Sequence, residues 1–186
     1  MTLLEMKKKV LQLIEEIDDT KKSLTSDPDI EAKLNSVINQ VQFELARMKK
    51  MLANEEENVN AGEVFELNSL TGFYQLRLLR FKDVSGMDAA YEVVDNMVIF
   101  STKGKATFFY YKLPDTITDK TPDSYEFELP QDALEIMPYG VAADLLKSDV
   151  STQYGEIYAK RYETMLQRLD PRYAMETMLV EGGVDI

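Results

Sequence analysis

The sequence has 186 residues, 45% of them hydrophobic and 29% charged, with a formal net charge of −12 at pH 7. It contains no cysteine and no histidine, which excludes disulfides, thiolate and imidazole metal sites, cysteine nucleophiles and any Ser-His-Asp triad. The length suits one domain, or one domain with an inserted lobe, and the acidic balance repels nucleic-acid phosphate at long range.

The chain opens Met1-Thr2-Leu3-Leu4-Glu5-Met6-Lys7, without the charged-then-apolar order of a secretory leader. No apolar run approaches the ~20 residues of a membrane helix, so a protein made and used in a cytoplasm is expected. Thr2 and Glu5 have capping-box spacing, and Leu3, Met6, Val10, Leu13, Ile14 and Ile17 recur at helical intervals. They predict a first helix ending between Asp18 and Lys22. Asp27 as N-cap and Pro28 at the first helical position begin a second. Its stripe is Ile30, Leu34, Val37, Ile38, Val41, Leu45, Met48 and Leu52. Burying each such side chain contributes ~1.5–3 kcal/mol, against ~1–2 kcal/mol of backbone entropy per ordered residue. This helix therefore needs a packing partner, and the first helix, joined by the short polar link Lys22–Ser26, is the natural one.

Asn54–Gly62, with Glu55-Glu56-Glu57-Asn58 at its centre, reads as a loop between lobes. From Phe65 to Leu129 the helical period is lost. Tyr91–Val94 and Met97–Ser101 flank Asp95-Asn96 as a hairpin, Lys103-Gly104-Lys105 reads as a second turn, and Thr107–Tyr111 is strongly β-forming. Pro114–Pro122 reads as a loop, and Tyr125–Leu129 alternates as a half-buried strand.

Helices return at Pro130. Ala133, Leu134, Ile136 and Met137 lead to Pro138, which breaks or kinks the segment or opens the next. Gly140, Ala142 and Ala143 are small enough to admit another helix closely. Asp149 or Ser151 caps a last helix with the stripe Tyr154, Ile157, Tyr158, Tyr162, Met165, Leu166 and Leu169, stopped by Asp170-Pro171. The order predicts an α+β, mainly α fold. An antiparallel helical bundle forms from N-terminal helices (1–53) and C-terminal helices (130–170), with a small antiparallel β-sheet inserted at 63–129 and a tail at 171–186.

Few residues invite a chemical role. Glu126 and Glu128 fall on the solvent side of a strand opposite Phe127, and Ser101-Thr102-Lys103-Gly104-Lys105 lacks the spacing of a phosphate loop. No catalytic, cofactor or metal residue is assigned. The basic groups Lys7–Lys9, Lys49–Lys50 and Arg77, Arg80, Lys82 read as solvated faces. Tyr154, Tyr158 and Tyr162 form a packing face, in the core or at a subunit contact, rather than a base-stacking row. The tail is either a loose terminus or a segment that orders on a partner, for which Met178, Leu179, Val180, Val184 and Ile186 are the apolar anchors.

Tyr110-Tyr111-Lys112-Leu113-Pro114, Phe127-Glu128-Leu129, the run from Ala133 to Asp149 and the run from Tyr158 to Asp170 together resemble the head–tail connector, or adaptor, proteins of tailed bacteriophages. The opening residues and Ile38-Asn39-Gln40-Val41-Gln42 resemble the first two helices of that family. The resemblance implies a non-enzymatic virion protein of the neck, assembled in the host cytoplasm as a homo-oligomeric, usually dodecameric ring. It implies three partners: the portal protein, the next neck or tail protein, and DNA that passes through the channel without specific binding. No membrane and no cofactor are implied. By position, residues 171–186 would grip the portal. A soluble acidic interaction module, a chaperone or regulatory adaptor working through its helical pair, is the alternative reading of the residues.

Overall fold

In the computed structural model, residues 1–17, 24–25, 27–82, 91–147 and 153–169 are described. Helix α1 (Leu3–Leu13) begins at the expected capping box: the Thr2 side chain accepts from the Glu5 N–H, and the Glu5 carboxylate accepts from the Thr2 N–H at 2.9 Å. It ends before Asp18, because Ile14 caps it and Glu15 takes φ 60. Helix α2 (Pro28–Lys49) starts on Asp27, whose carboxylate accepts from the Asp29 and Ile30 N–H groups, and stops at Lys50 in the left-handed region. These two helices do not form the expected pair. Each packs chiefly on α3 (Gln131–Leu146), as does α4 (Tyr154–Arg168).

Helix α3 is apolar on nearly all sides, with Ala133, Leu134, Ile136, Met137, Val141, Ala142 and Ala143 buried, as a helix surrounded by others must be. Pro138 lies inside it and does not divide it. Proline removes the hydrogen bond to the Leu134 carbonyl, and packing on three sides carries the helix through the gap. Leu3, Met6, Leu34, Ile38, Leu45, Met137 and Val141 share this core with Phe127 and Leu129. Tyr125–Leu129 keeps its alternation of burial but is not a strand: its pairing among the described residues is one bridge, Thr2 to Glu126, with the Leu3 N–H donating to the Tyr125 carbonyl at 2.8 Å.

Among the described residues, six strands fill the middle of the chain: β1 (Leu52–Val59), β2 (Val64–Glu66), β3 (Phe73–Lys82), β4 (Tyr91–Val94), β5 (Met97–Phe100) and β6 (Gly104–Lys112). They form two three-stranded antiparallel sheets, ordered β1-β6-β3 and β2-β5-β4. The inner faces share a second core of Val59, Leu67, Leu70, Leu79, Val98, Phe100, Ala106, Phe108 and Tyr110. The expectation of a mainly helical bundle with a small inserted sheet is thereby overturned. The protein is α+β, with four helices among the described residues and a two-sheet sandwich that has its own core.

The β4–β5 hairpin forms on Asp95-Asn96 as expected, with Asp95 at φ 52. The second turn expected at Lys103-Gly104-Lys105 is not a hairpin turn: Gly104 and Lys105 already begin β6, and because β5 and β6 lie in different sheets the chain crosses between them there. The sequence read as an inter-lobe loop, Asn54–Gly62, is mostly β1. At the bottom of the sandwich Gly72 takes φ +65, and a Cβ there would lie 2.6 Å from the Leu113 carbonyl oxygen, which only glycine accommodates. The Leu113 N–H donates to the Gly72 carbonyl at 2.8 Å, so this close approach fixes the exit from β6 toward the helices.

Candidate interaction surfaces

The tyrosine row on α4 spans three environments. Tyr154 is 53% exposed, as is its neighbour Ile157 at 54%. Tyr158 is half-buried, and its hydroxyl donates to the Leu13 carbonyl at 2.5 Å. Burial pushes its phenol pKa up, with Glu15 adding to the shift. Tyr162 is buried, donates to Glu44 at 2.8 Å and is pushed up by burial and then by the Glu44 carboxylate. Its ring lies directly over Gly140, where an added Cβ would meet it at 2.8 Å. Glycine at 140 therefore sets how closely α4 approaches α3, and Tyr162 belongs to the helical core.

Beside this contact α2, α3 and α4 enclose a groove of about 680 Å³. Glu44, Asp144, Glu156 and Glu163 line it together with Lys147. Two of these carboxylates are held in place: Tyr162 donates to Glu44, and Gln40 Nε2 donates to Asp144 at 3.2 Å. On the opposite flank of α4, Lys160, Arg161 and Arg168 surround Ile157 and Met165. Arg161 lies 4.3 Å from the centre of the Tyr139 ring. Among the described residues no cluster of three or more acidic side chains is placed to hold a metal ion, and no helix is long and apolar enough to cross a membrane.

A polar bracket on α2 holds the segment after β6. Asn39 Nδ2 donates to the Ile117 carbonyl at 2.7 Å and its Oδ1 accepts from the Ile117 N–H at 2.8 Å, so the carboxamide pairs with the chain as a neighbouring peptide would. Gln42, fully buried, donates to Asn39 Oδ1 and to the Asp115 carbonyl. Sequence reading missed this bracket. The signal was Gln42 on the same helical face as Ile38 and Leu45, a polar residue on a buried stripe.

The basic groups do not behave alike. Lys49 is buried and donates to Asp132 at 2.6 Å, tying the last turn of α2 to the first turn of α3. Lys7 lies 3.5 Å from Asp123. Lys50, Arg47 and Arg80 stand over aromatic rings of the first sheet. Glu126 and Glu128 are exposed on the outer side of Phe127, and Glu128 pairs with Lys112.

Inside the sandwich, Tyr110 is buried and its hydroxyl donates to Glu55 Oε1 at 2.5 Å; the Thr71 N–H donates to the same oxygen at 3.0 Å. The Tyr110 hydroxyl holds the Glu55 carboxyl below its ordinary range, against a smaller opposing effect of burial. Burial, and then Glu55, pushes the Tyr110 phenol up. A depressed carboxyl contributes stability above its unfolded pKa of ~4.3 and loses it as pH falls through the folded value. A raised phenol contributes below its ordinary ~10 and loses it as pH rises. Tyr110→Phe is expected to cost about 1–2 kcal/mol at pH 7. In urea melts the gap to the parent protein should narrow as pH falls below ~4; a gap independent of pH would contradict the pairing.

The tail residues Met178, Leu179, Val180, Val184 and Ile186, and the caps Asp149 and Ser151, lie outside the described residues. No known protein-family model matches the sequence, and no curated protein matches it at a significant level.

Proposed function

We propose that this chain is a non-enzymatic structural subunit of a tailed-bacteriophage virion, a head–tail connector that forms a ring beneath the portal and extends the DNA channel toward the tail. The observation that carries the reading is the convergence of the segments that bear the resemblance. The first two helices are far in sequence from the 133–149 and 158–170 runs. Their described parts are α1, α2, α3 and α4, and the other three all pack on α3. A ring subunit also needs two different contact faces, since a head-to-tail interface that closes joins unlike patches. The exposed large apolar side chains fall in separate regions, Tyr154 and Ile157 on α4 and the rest on the sandwich. The net charge of −12 suits a channel through which DNA slides without adhering. Residues 171–186 serve the portal contact in this reading.

Electron microscopy of the protein mixed with its portal tests the proposal. The expected result is an added collar, lost when residues 171–186 are deleted while the melting temperature stays nearly unchanged. A well-folded protein that gives no collar at high concentration sinks the reading. A stoichiometric complex with one partner and no ring would favour the interaction-module alternative.

A further inference from the structure

The two sheets bury their inner faces against each other, so their outer faces point in opposite directions. Register sets what each outer face carries. On the first sheet Leu52 pairs with Tyr111 and Leu78 with Phe109, which puts these four side chains on one face. Leu52 and Leu78 are 47% and 39% exposed. Lys50 lies 5.8 Å from the centre of the Tyr111 ring and Arg80 5.6 Å from that of Phe109, while Arg47 lies 5.6 Å from that of Tyr74 at the α2 edge of the sheet. On the second sheet Val64, Ile99 and Glu92 share one outer row, and Glu66, Met97 and Val94 the next. Val64 is 52% exposed, and Val94 and Met97 are each 38% exposed. The two rows hold two carboxylates and no cation.

Glu56 lies on the first outer face as well, where it pairs with Lys105 and leaves Lys50 and Arg80 to set the sign. One sandwich thus presents an apolar, positive face and an apolar, negative face on opposite sides. We propose that the occupant of each is a second copy of this chain: the outer face of β1-β6-β3 on one copy seats against the outer face of β2-β5-β4 on the next. The inference rests on the ring reading above and names its subunit contact. Charge complementarity selects the partner. A nucleic acid has no use for Leu52 and Leu78, and the chain as a whole repels phosphate. Cations held over aromatic rings beside exposed aliphatics are typical of protein–protein contacts, where arginine and tyrosine are enriched. Because the two faces differ, each contact leaves one face of either kind open, so the assembly propagates in one direction and closes where the rotation permits.

The chain has no cysteine, so two introduced thiols report the contact cleanly. Leu78→Cys and Met97→Cys proteins, mixed under mild oxidation, should give a covalent dimer that neither gives alone. The double variant should give a ladder ending at the ring. Arg80→Glu should weaken self-association by about tenfold or more in sedimentation velocity, and pairing it with Glu92→Arg should restore it. Lys50→Glu serves if Arg80→Glu disturbs folding, as circular dichroism would show. A portal collar without the disulfide between positions 78 and 97 overturns this contact and leaves the connector reading standing. Cross-linking without a collar upholds the contact and sinks the connector reading. Neither collar nor cross-link removes both, and a dimer from one cysteine variant alone means like faces meet and overturns the proposal.

Discussion

Phe108→Ala is expected to destabilise the sandwich by about 3–5 kcal/mol, the range for emptying a large aromatic site in a core. Phe108 is completely buried on β6, the central strand of its sheet, and points inward. Its ring stacks on Phe65 of β2 at 4.6 Å and meets the edge of Phe100 of β5 at 6.3 Å, so one side chain joins both sheets. Truncation removes those contacts and leaves a cavity that the strands cannot close without giving up their register. A domain of this size has about 5–15 kcal/mol of stability in all. The helical core around Met137 and Ile38 is a separate cluster and holds none of the sandwich side chains. The loss should therefore be local. Hydrogen exchange should show faster exchange of the β3, β5 and β6 amides with α2 and α3 still protected. Equal loss of protection in helices and strands would mean that the two cores unfold as one.

That separation was poorly legible in the sequence, for identifiable reasons. Helix starts are local events, so Thr2-Glu5 and Asp27-Pro28 announced theirs, and Asp95-Asn96 announced the hairpin. Strand β1 was hidden because Glu55, Glu56 and Glu57 are poor strand formers. Their strand exists through distant partners, Tyr110 for Glu55 and Lys105 for Glu56. Strand β3 was hidden by two register shifts, between Phe73 and Gln75 and between Leu76 and Leu78, which break the period of two in Phe73–Lys82. Tyr125–Leu129 shows the converse: the alternation was right, but almost no neighbouring strand was there to pair with it. Pro138 predicted a break that burial of α3 on several sides overrode. The cation-bearing sheet face could not be read at all, since Lys50 and Tyr111 meet only after the chain has folded back through five further strands.

Asn39→Ala should cost about 2–4 kcal/mol, since about 1–3 kcal/mol is lost for each buried polar group left without a partner. The substitution removes three hydrogen bonds at once, two to the Ile117 backbone and one from Gln42. Ile117 is itself buried in the helical core, so its peptide groups have little access to replacement water. Gln42 would keep its bond to the Asp115 carbonyl, but its Oε1 is already buried without a partner among the described residues, and a second deficit would fall on the same side chain. Asn39→Asp separates this account from simple loss of packing. The carboxylate still accepts from the Ile117 N–H, but it sets a negative oxygen against the Ile117 carbonyl, which requires a donor. The Asp variant should therefore be about as unstable as Ala at pH 7. It should recover as pH falls through its carboxyl pKa, because the protonated acid donates again. Urea midpoints at pH 7 and pH 4 decide it: an Asp variant that tracks the parent at both values would mean that the bracket from α2 does not hold the Asp115–Ile117 segment in place.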